Sequence, residues 1–559
     1  MAPTLKSKPV LSHLQLRLAG WEQRRLVASL ARQVSAHTRP ASTQRPVVVF
    51  NASTRLTGLS LNAAFQLLTA WSLRLAGIPV VHFVCQAGMR PCVLGTSRED
   101  YTTLPPCATC LAQSSRLYAG ASVGGFSYQE DTYLASLLSS LSVDDLSCFV
   151  YDPKPGASRA SGSGFVPSPL FPMPLGSLVL PSIRWALRRH SLPDDEPTRY
   201  LLRQYILSAY RVAAEFADLL DEVKPQCAVI FNGAMYPEAA ARWVARKLGV
   251  RSVAHEVGFQ QYSVFFTDGE PTAYPIHIPP DFELNAEQNA RLDAYLEKRF
   301  QGKFTMAGIQ FWPEMRDLGE AFLQHAAGFK QIVPVFTNVV YDTSQVHANV
   351  VFPHMFAWLD LVLEIIRQHP ETLFVIRAHP DEMRAGTRKL SNESVRQWVQ
   401  DHGVDRLPNA VFIDSQEYLS SYELIQRAKF VIVYNSSIGM EAALMGTPVL
   451  CAGKARYTQY PIVVFPPSQG EFRRQAEEYL AAESLEAPPE HQRNARRFLY
   501  YQLYRVSLPL GGFIQAAPRM GFVQLKPFNW QQLLPANSAT MRVLLDGILN
   551  EEPFLLPEN

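Results

Sequence analysis

The sequence predicts an α/β protein of two halves, each built on a parallel sheet. Two observations carry this: short apolar, β-branched runs alternate with helical patterns, and each run stops at polar or glycine-containing residues. Strand, helix, strand at this spacing is the unit from which parallel sheets are assembled.

In the first half, Pro46 to Asn51 reads as a strand that breaks at Ala52-Ser53-Thr54. A helical pattern runs from Leu59 to Ala76 and closes at Gly77, and a second strand covers Ile78 to Val84. Residues 150–200 are rich in Pro, Gly and Ser and read as an excursion over the surface. Helical patterning resumes over Tyr200 to Val223. A second unit follows: strand Cys227 to Phe231, the turn Asn232-Gly233, helix Pro237 to Leu248, and strand Arg251 to Val257.

The second half opens with strand Ile332 to Phe336 and a helix from Pro353 to Gln368. Further strands are expected at Leu373 to Arg377, Ala410 to Ile413, Phe430 to Tyr434 and Val449 to Cys451. The organisation expected is a basic helical leader over 1–40, an acceptor-side domain over 41–325, a nucleotide-binding domain over 326–485, and helices over 486–559 that pack back on the body.

The bulk properties exclude several classes. With 559 residues, 47% hydrophobic and 18% charged, the chain is a globular protein of more than one domain. A net charge of +2 supplies no overall field for nucleic acid. No apolar run reaches the roughly 18–20 residues that a spanning helix needs, and no signal-peptide pattern is present. A cytoplasmic protein is expected.

The leader carries Lys6, Lys8, Arg17, Arg24, Arg25, Arg32 and Arg39 against a single acid, Glu22, with apolar residues between. Such a segment suits a helix lying at the inner face of a membrane. Packing on the body with a solvated basic face is the reading favoured here.

The stretch VYNSSIGMEAALMGTPVL, Val433 to Leu450, holds the strongest functional signal. A buried parallel strand points its carboxyl end at the crevice where open α/β sheets bind ligands. Asn435, Ser436 and Ser437 stand there, ahead of a short helix whose N–H groups favour an anion. Gly439 would let a ligand approach the backbone, and Glu441, one turn on, suits a ribose diol. The simpler alternative makes Ser436 or Ser437 a helix cap.

A second strand end, Arg377-Ala378-His379-Pro380, adds a guanidinium to offset phosphate charge and an imidazole able to donate to a phosphate or protonate a leaving oxygen.

Together with Thr337-Asn338-Val339-Val340-Tyr341-Asp342, these elements resemble the capsule polysaccharide biosynthesis glycosyltransferases, a GT-B group related to Kdo and polysialic acid transferases. The resemblance covers residues 225–465 best. It implies a GT-B fold, two Rossmann-like domains facing a central cleft, with a nucleotide-sugar donor in the second. It also implies that His379, Ser436 and Ser437 bind the donor phosphate, with Thr337, Asn338, Arg377, Asn435, Gly439 and Glu441 around them.

Inverting transfer needs a base for the acceptor hydroxyl. Glu256, in Ala254-His255-Glu256-Val257-Gly258, is similar to the acidic strand end of the sialic acid transferases, although His255 stands where they carry a paired acid. Asp268 is the other candidate, in an Asp-Gly that also reads as a turn. The loops after Asn51 and Asn232 are candidate acceptor contacts.

No Asp-x-Asp occurs, so no catalytic metal is expected, and the leaving phosphate falls to serines, N–H groups and His379. Cys85, Cys92, Cys107 and Cys110 form C-x6-C-x14-C-x2-C, whose last pair suits a chelate. A structural zinc on these four cysteines is expected, against the alternative of incidental thiols.

The function expected is transfer of a sugar from a nucleotide-sugar donor to a surface or capsular glycan, free or lipid-linked, by an inverting, metal-independent route. The alternatives are a UDP-sugar epimerase, a CDP-glycerol glycerophosphotransferase, and a non-catalytic zinc-stabilised scaffold.

Overall fold

A computed structural model describes the chain except residues 1–12, 40–42, 53–57, 90–91, 93–94, 96, 98–99, 101, 154–167, 303–314, 384–389, 520 and 559. Ser53 and Thr54, and the first basic residues of the leader, lie outside the described residues.

The first sheet contains β1 (Val47–Phe50), β2 (Val80–Cys85), β3 (Ser122–Phe126), β4 (Cys227–Phe231), β5 (Ser252–Val257) and β6 (Ser263–Thr267). The second contains β7 (Gln331–Phe336), β8 (Thr372–Arg377), β9 (Ala410–Ile413), β10 (Val431–Val433) and β11 (Val449–Cys451). A late strand, β12 (Leu508–Pro509), returns to the first sheet.

The first sheet runs β12-β6-β5-β4-β1-β2-β3 and the second β11-β10-β7-β8-β9. Setting aside the antiparallel β6 and β12, both have one topology: three strands laid down in one direction, then two in the other. This is the doubly wound order, and it leaves a crevice where the order reverses, between β1 and β4 in one half and β7 and β10 in the other. The two-domain GT-B layout is thereby met.

Both faces of each sheet are covered, which is why the strands are apolar runs rather than alternating ones. Val431 to Val433 are 0% exposed, as are Leu373 to Ile376. On the first sheet one face packs under the helices His13–His37, Leu61–Leu75 and Ala539–Asn550, the other under Leu175–Leu187, Glu196–Val223 and Glu238–Lys247.

One face of the leader helix packs on the body. Val27, Leu30, Ala31 and Val34, spaced for one helical face, are at most 6% exposed against the body. Each large side chain so buried contributes about 1.5–3 kcal/mol, so this face belongs to the protein interior. Among the described residues no helix is long and apolar enough to cross a membrane.

Three expectations change. Residues 150–200 are not all surface excursion, since the helix Leu175–Leu187 buries Leu175, Val179 and Ile183 completely. The helix Ala286–Phe300, placed by sequence on the acceptor side, puts Leu292 and Leu296 into the core beneath the second sheet. The end of the chain divides: β12 and the helix Ala539–Asn550 join the first half, while Phe498 and Leu499 of the helix Pro489–Tyr500 join the second.

Candidate functional site

At the reversal point of the second sheet, β7 ends in Thr337 and Asn338 and β10 runs into Tyr434, Asn435, Ser436 and Ser437. β8 lies beside β7 and ends in Arg377, Ala378 and His379. The predicted donor residues thus converge because three neighbouring parallel strands stop at one edge.

Two chambers open there. The narrower, 90 Å³, has Phe336, Met315, Tyr422 and Ile438 as its less polar wall, with Arg299, Arg377 and Glu441 about it. The wider, 270 Å³, lies between the halves, with Thr272, Ala273 and Pro275 on one side and Asp342, His347, Lys454 and Arg456 on the other. His379, Ser436 and Ser437 line both.

The Nδ1 of His379 accepts the Asp381 backbone N–H at 3.1 Å. That acceptor role puts the proton of the neutral ring on Nε2. Pro380 ends the strand and helps hold this turn.

Ser437 occupies the cap position of the helix Ile438–Leu444 but makes no side-chain capping bond. The helix-cap alternative is not realised there. The helix is only two turns long, so the side chains around it carry more of any anion seat than was expected.

Other predicted residues serve the frame. The Asn435 Oδ1 accepts from Asn338 Nδ2 at 2.7 Å and Gln345 Nε2 at 3.1 Å, and its Nδ2 donates to the Ser344 carbonyl at 3.0 Å. Thr337 Oγ1 donates to the Arg377 carbonyl at 3.0 Å, tying β7 to β8. Arg377 is 3% exposed and donates to the Glu417 carbonyl at 3.3 Å; burial pushes its guanidinium down to about 10.

Gly439 and Glu441 are corrected. A Cβ at Gly439 would run into the Tyr457 hydroxyl and stand 3.0 Å from Val433 Cγ2, so the missing side chain makes room for Tyr457, not for a ligand. That hydroxyl donates to the Ser436 carbonyl at 2.7 Å. Glu441 is 3% exposed and gives one oxygen to Arg299 Nη2 and the other to the Tyr422 hydroxyl, each at 2.5 Å. Its carboxylate is engaged in a buried ion pair rather than offered to a ribose.

On the acceptor side, Glu256 ends β5 facing the second half. Its Oε2 accepts from Asn232 Nδ2 and its Oε1 from the Val257 N–H, each at 2.8 Å. Burial, then to a lesser degree the charge of Asp342, raises its carboxyl above the ordinary range, while hydrogen bonds with Val257, Asn232 and Asn62 pull the other way. A carboxylate with raised basicity suits a general base, although Glu256 itself lines neither chamber. His255, on the opposite face of β5, is 0% exposed and stacks on Phe266; burial drops its ring to about 3.

Asp268 stands elsewhere. It pairs with Arg251 at 2.8 Å along a third cavity and does not line either chamber. Asn232 is both turn and support: at φ +59° its Oδ1 accepts from the N–H groups of Ala234 and Met235. Asn51 is buried, bonded to Gln66 and His82.

Cys85 ends β2, Cys107 and Cys110 lie in the first turn of the helix Cys107–Leu117, and all four clustered cysteines are partly buried. Among the described residues no three or more His, Cys, Asp or Glu side chains gather as a metal ion requires.

Sequence reasoning missed Arg299, Lys454, Arg456 and Tyr457. A signal existed for three: Lys454-Ala455-Arg456-Tyr457 follows directly on β11, at the same edge as the serines. Arg456 holds its guanidinium 4.4 Å from the Tyr274 ring centroid and 5.3 Å from that of Phe259, linking the halves.

Residues 311–462 match the model of a family described as capsule polysaccharide biosynthesis protein. Two Thermosulfurimonas dismutans structures are similar. KpsC, beta Kdo 2,4 transferase, is 11% identical over 54% of this chain and 84% of that one, with a TM-score of 0.34. KpsC, beta Kdo 2,7 transferase, is 13% identical over 60% and 89%, with a TM-score of 0.31. UDP-GlcNAc 2-epimerase from Neisseria meningitidis, bound to UDP-GlcNAc, is 11% identical over 82% and 98%, with a TM-score of 0.24. Among curated proteins no match is found.

Proposed function

We propose that the chain is a glycosyltransferase that moves a sugar from a nucleotide donor to a glycan acceptor. One observation carries the reading: His379, Ser436 and Ser437 are shared by two chambers of different character. A nucleotide sugar has that division, a flat base and a polyhydroxylated ring on either side of a phosphate. The base end takes the narrower chamber, the phosphate lies at the shared residues, and the sugar enters the wider chamber between the halves.

In this mechanism Glu256 removes the acceptor proton as the hydroxyl attacks the anomeric carbon from the first half. The bond to the phosphate oxygen breaks, and Nε2–H of His379 donates to the departing phosphate, helped by the serine hydroxyls and the charge of Lys454 and Arg456. Attack from the face opposite the leaving group inverts the anomeric centre. Zinc on Cys85, Cys92, Cys107 and Cys110 has no part in it, and metal analysis of the purified protein measures whether the cysteines hold any.

The test is a nucleotide-sugar binding screen followed by turnover. A Ser436→Ala/Ser437→Ala variant should lose nucleotide affinity, and His379→Ala should lower transfer by roughly 10² or more while still binding nucleotide. Near-normal turnover in a folded His379→Ala protein would sink the mechanism.

A further inference from the structure

A third cavity, 570 Å³ and open to solvent, runs along the helix Glu238–Lys247 on the first half. It joins the site already described through His347, which lines both this groove and the wider chamber. Its wall is formed by Arg242, Trp243, Arg246 and Arg251, with Asp268 and Glu270 opposite.

The charges are not balanced. Arg242 pairs with Glu270, and Arg251 is fixed by Asp268 and by the carbonyls of Gly547 and Ile548, each 2.8 Å away. Arg246 is exposed, its guanidinium 5.0 Å from the Trp243 ring centroid, and among the described residues it has no carboxylate within ion-pair distance. It stands one helical turn from Arg242, where like charges repel. The Arg242 guanidinium lies below its ordinary value through burial and then through the charge of Arg246. An oxyanion between the two would relieve that repulsion and find two guanidinium donors. The indole N–H of Trp243 is buried, with no hydrogen-bond partner among the described residues. At Gly249 no atom lies within 4 Å of a built Cβ, so the groove floor is open there.

We infer that this groove binds a saccharide carrying a carboxylate or phosphate and leads it past His347 toward the wider chamber. That the bound saccharide is the acceptor rests on the transferase reading above; the groove itself does not.

Calorimetric titration of the full chain tests it with three probes: a uronic-acid disaccharide, the same disaccharide with its carboxylate reduced to the alcohol, and a disaccharide phosphate. Nucleoside monophosphate binding is measured on the same samples. At least one anionic probe should bind about tenfold tighter than the neutral one, and Arg246→Gln should remove most of that difference while leaving nucleotide affinity unchanged. Which anionic probe is preferred distinguishes carboxylate from phosphate. Arg246 is exposed, so its variant folds even where Arg242→Gln does not. Equal binding of charged and neutral probes, or an unchanged difference in Arg246→Gln with nucleotide binding intact, overturns the groove. Groove binding without nucleotide binding keeps the groove and overturns the transferase reading instead.

Discussion

Arg299 and Glu441 are joined at 2.5 Å with side chains only 3% and 4% exposed, although 142 positions separate them. Burial works against the Arg299 charge, and Glu441 together with Tyr295 and Tyr422 more than offsets it, so the guanidinium stays above its ordinary value. Removing one partner strands the other without solvent. Glu441→Ala should cost about 3–5 kcal/mol in denaturant unfolding, and a paired Arg299→Met/Glu441→Leu change should recover most of it. Had Glu441 held a ribose instead, Glu441→Gln would weaken nucleotide binding with stability nearly unchanged.

The raised carboxyl of Glu256 sets a pH dependence for transfer. The base must be ionised to accept a proton, and its ionisation is held above the ordinary 4.5 by burial. The acid limb of kcat/KM should therefore lie above the ordinary glutamate range. In Glu256→Gln activity should fall by roughly 10² or more and that limb should vanish. An unshifted limb in Glu256→Gln would assign the base elsewhere.

Gly439 and Tyr457 make a third test. Gly439→Ala forces Tyr457 from its place and should cost about 1–3 kcal/mol. In Gly439→Ala/Tyr457→Phe, which removes the obstructing oxygen, much of that loss should be regained. Simple additivity of the two changes in thermal unfolding would mean the residues do not conflict.

Glu382, three residues after His379, is 1% exposed. Its Oε1 accepts the Val395 N–H at 2.8 Å, while Oε2 has no partner among the described residues. Burial lifts its carboxyl from 4.5 to about 8. The folded state accommodates the neutral acid, so this residue's contribution is complete below pH 4.5 and is lost as pH rises through about 8. Glu382→Gln should unfold at a higher temperature than the parent at pH 9, by on the order of 1 kcal/mol or more, and nearly alike at pH 5. Parallel pH profiles for the two proteins would contradict this.

What could be read from sequence follows from burial. Strands covered on both faces are uninterrupted apolar runs, so Cys227 to Phe231 and Val449 to Cys451 show their limits directly. Their polar ends are equally visible, which is how His379 and Ser436 were found. β3 could not be found that way: it is an edge strand, Ser-Val-Gly-Gly-Phe, with only Phe126 buried. The partners of a polar residue were invisible as well. Nothing near Glu441 in the chain announces Arg299, and nothing near Gly439 announces the Tyr457 hydroxyl, so both residues were assigned to a ligand when each already had a neighbour.

The pairing of β12 with β6 has a consequence for biosynthesis. Leu508 and Pro509 add the outermost strand to a sheet whose other members are all made before residue 268, with the whole second half intervening. On the ribosome the first half must wait, its β6 edge unpaired, until translation has passed through the second half. The amino-terminal half is thus the first to be synthesised and the last to be finished.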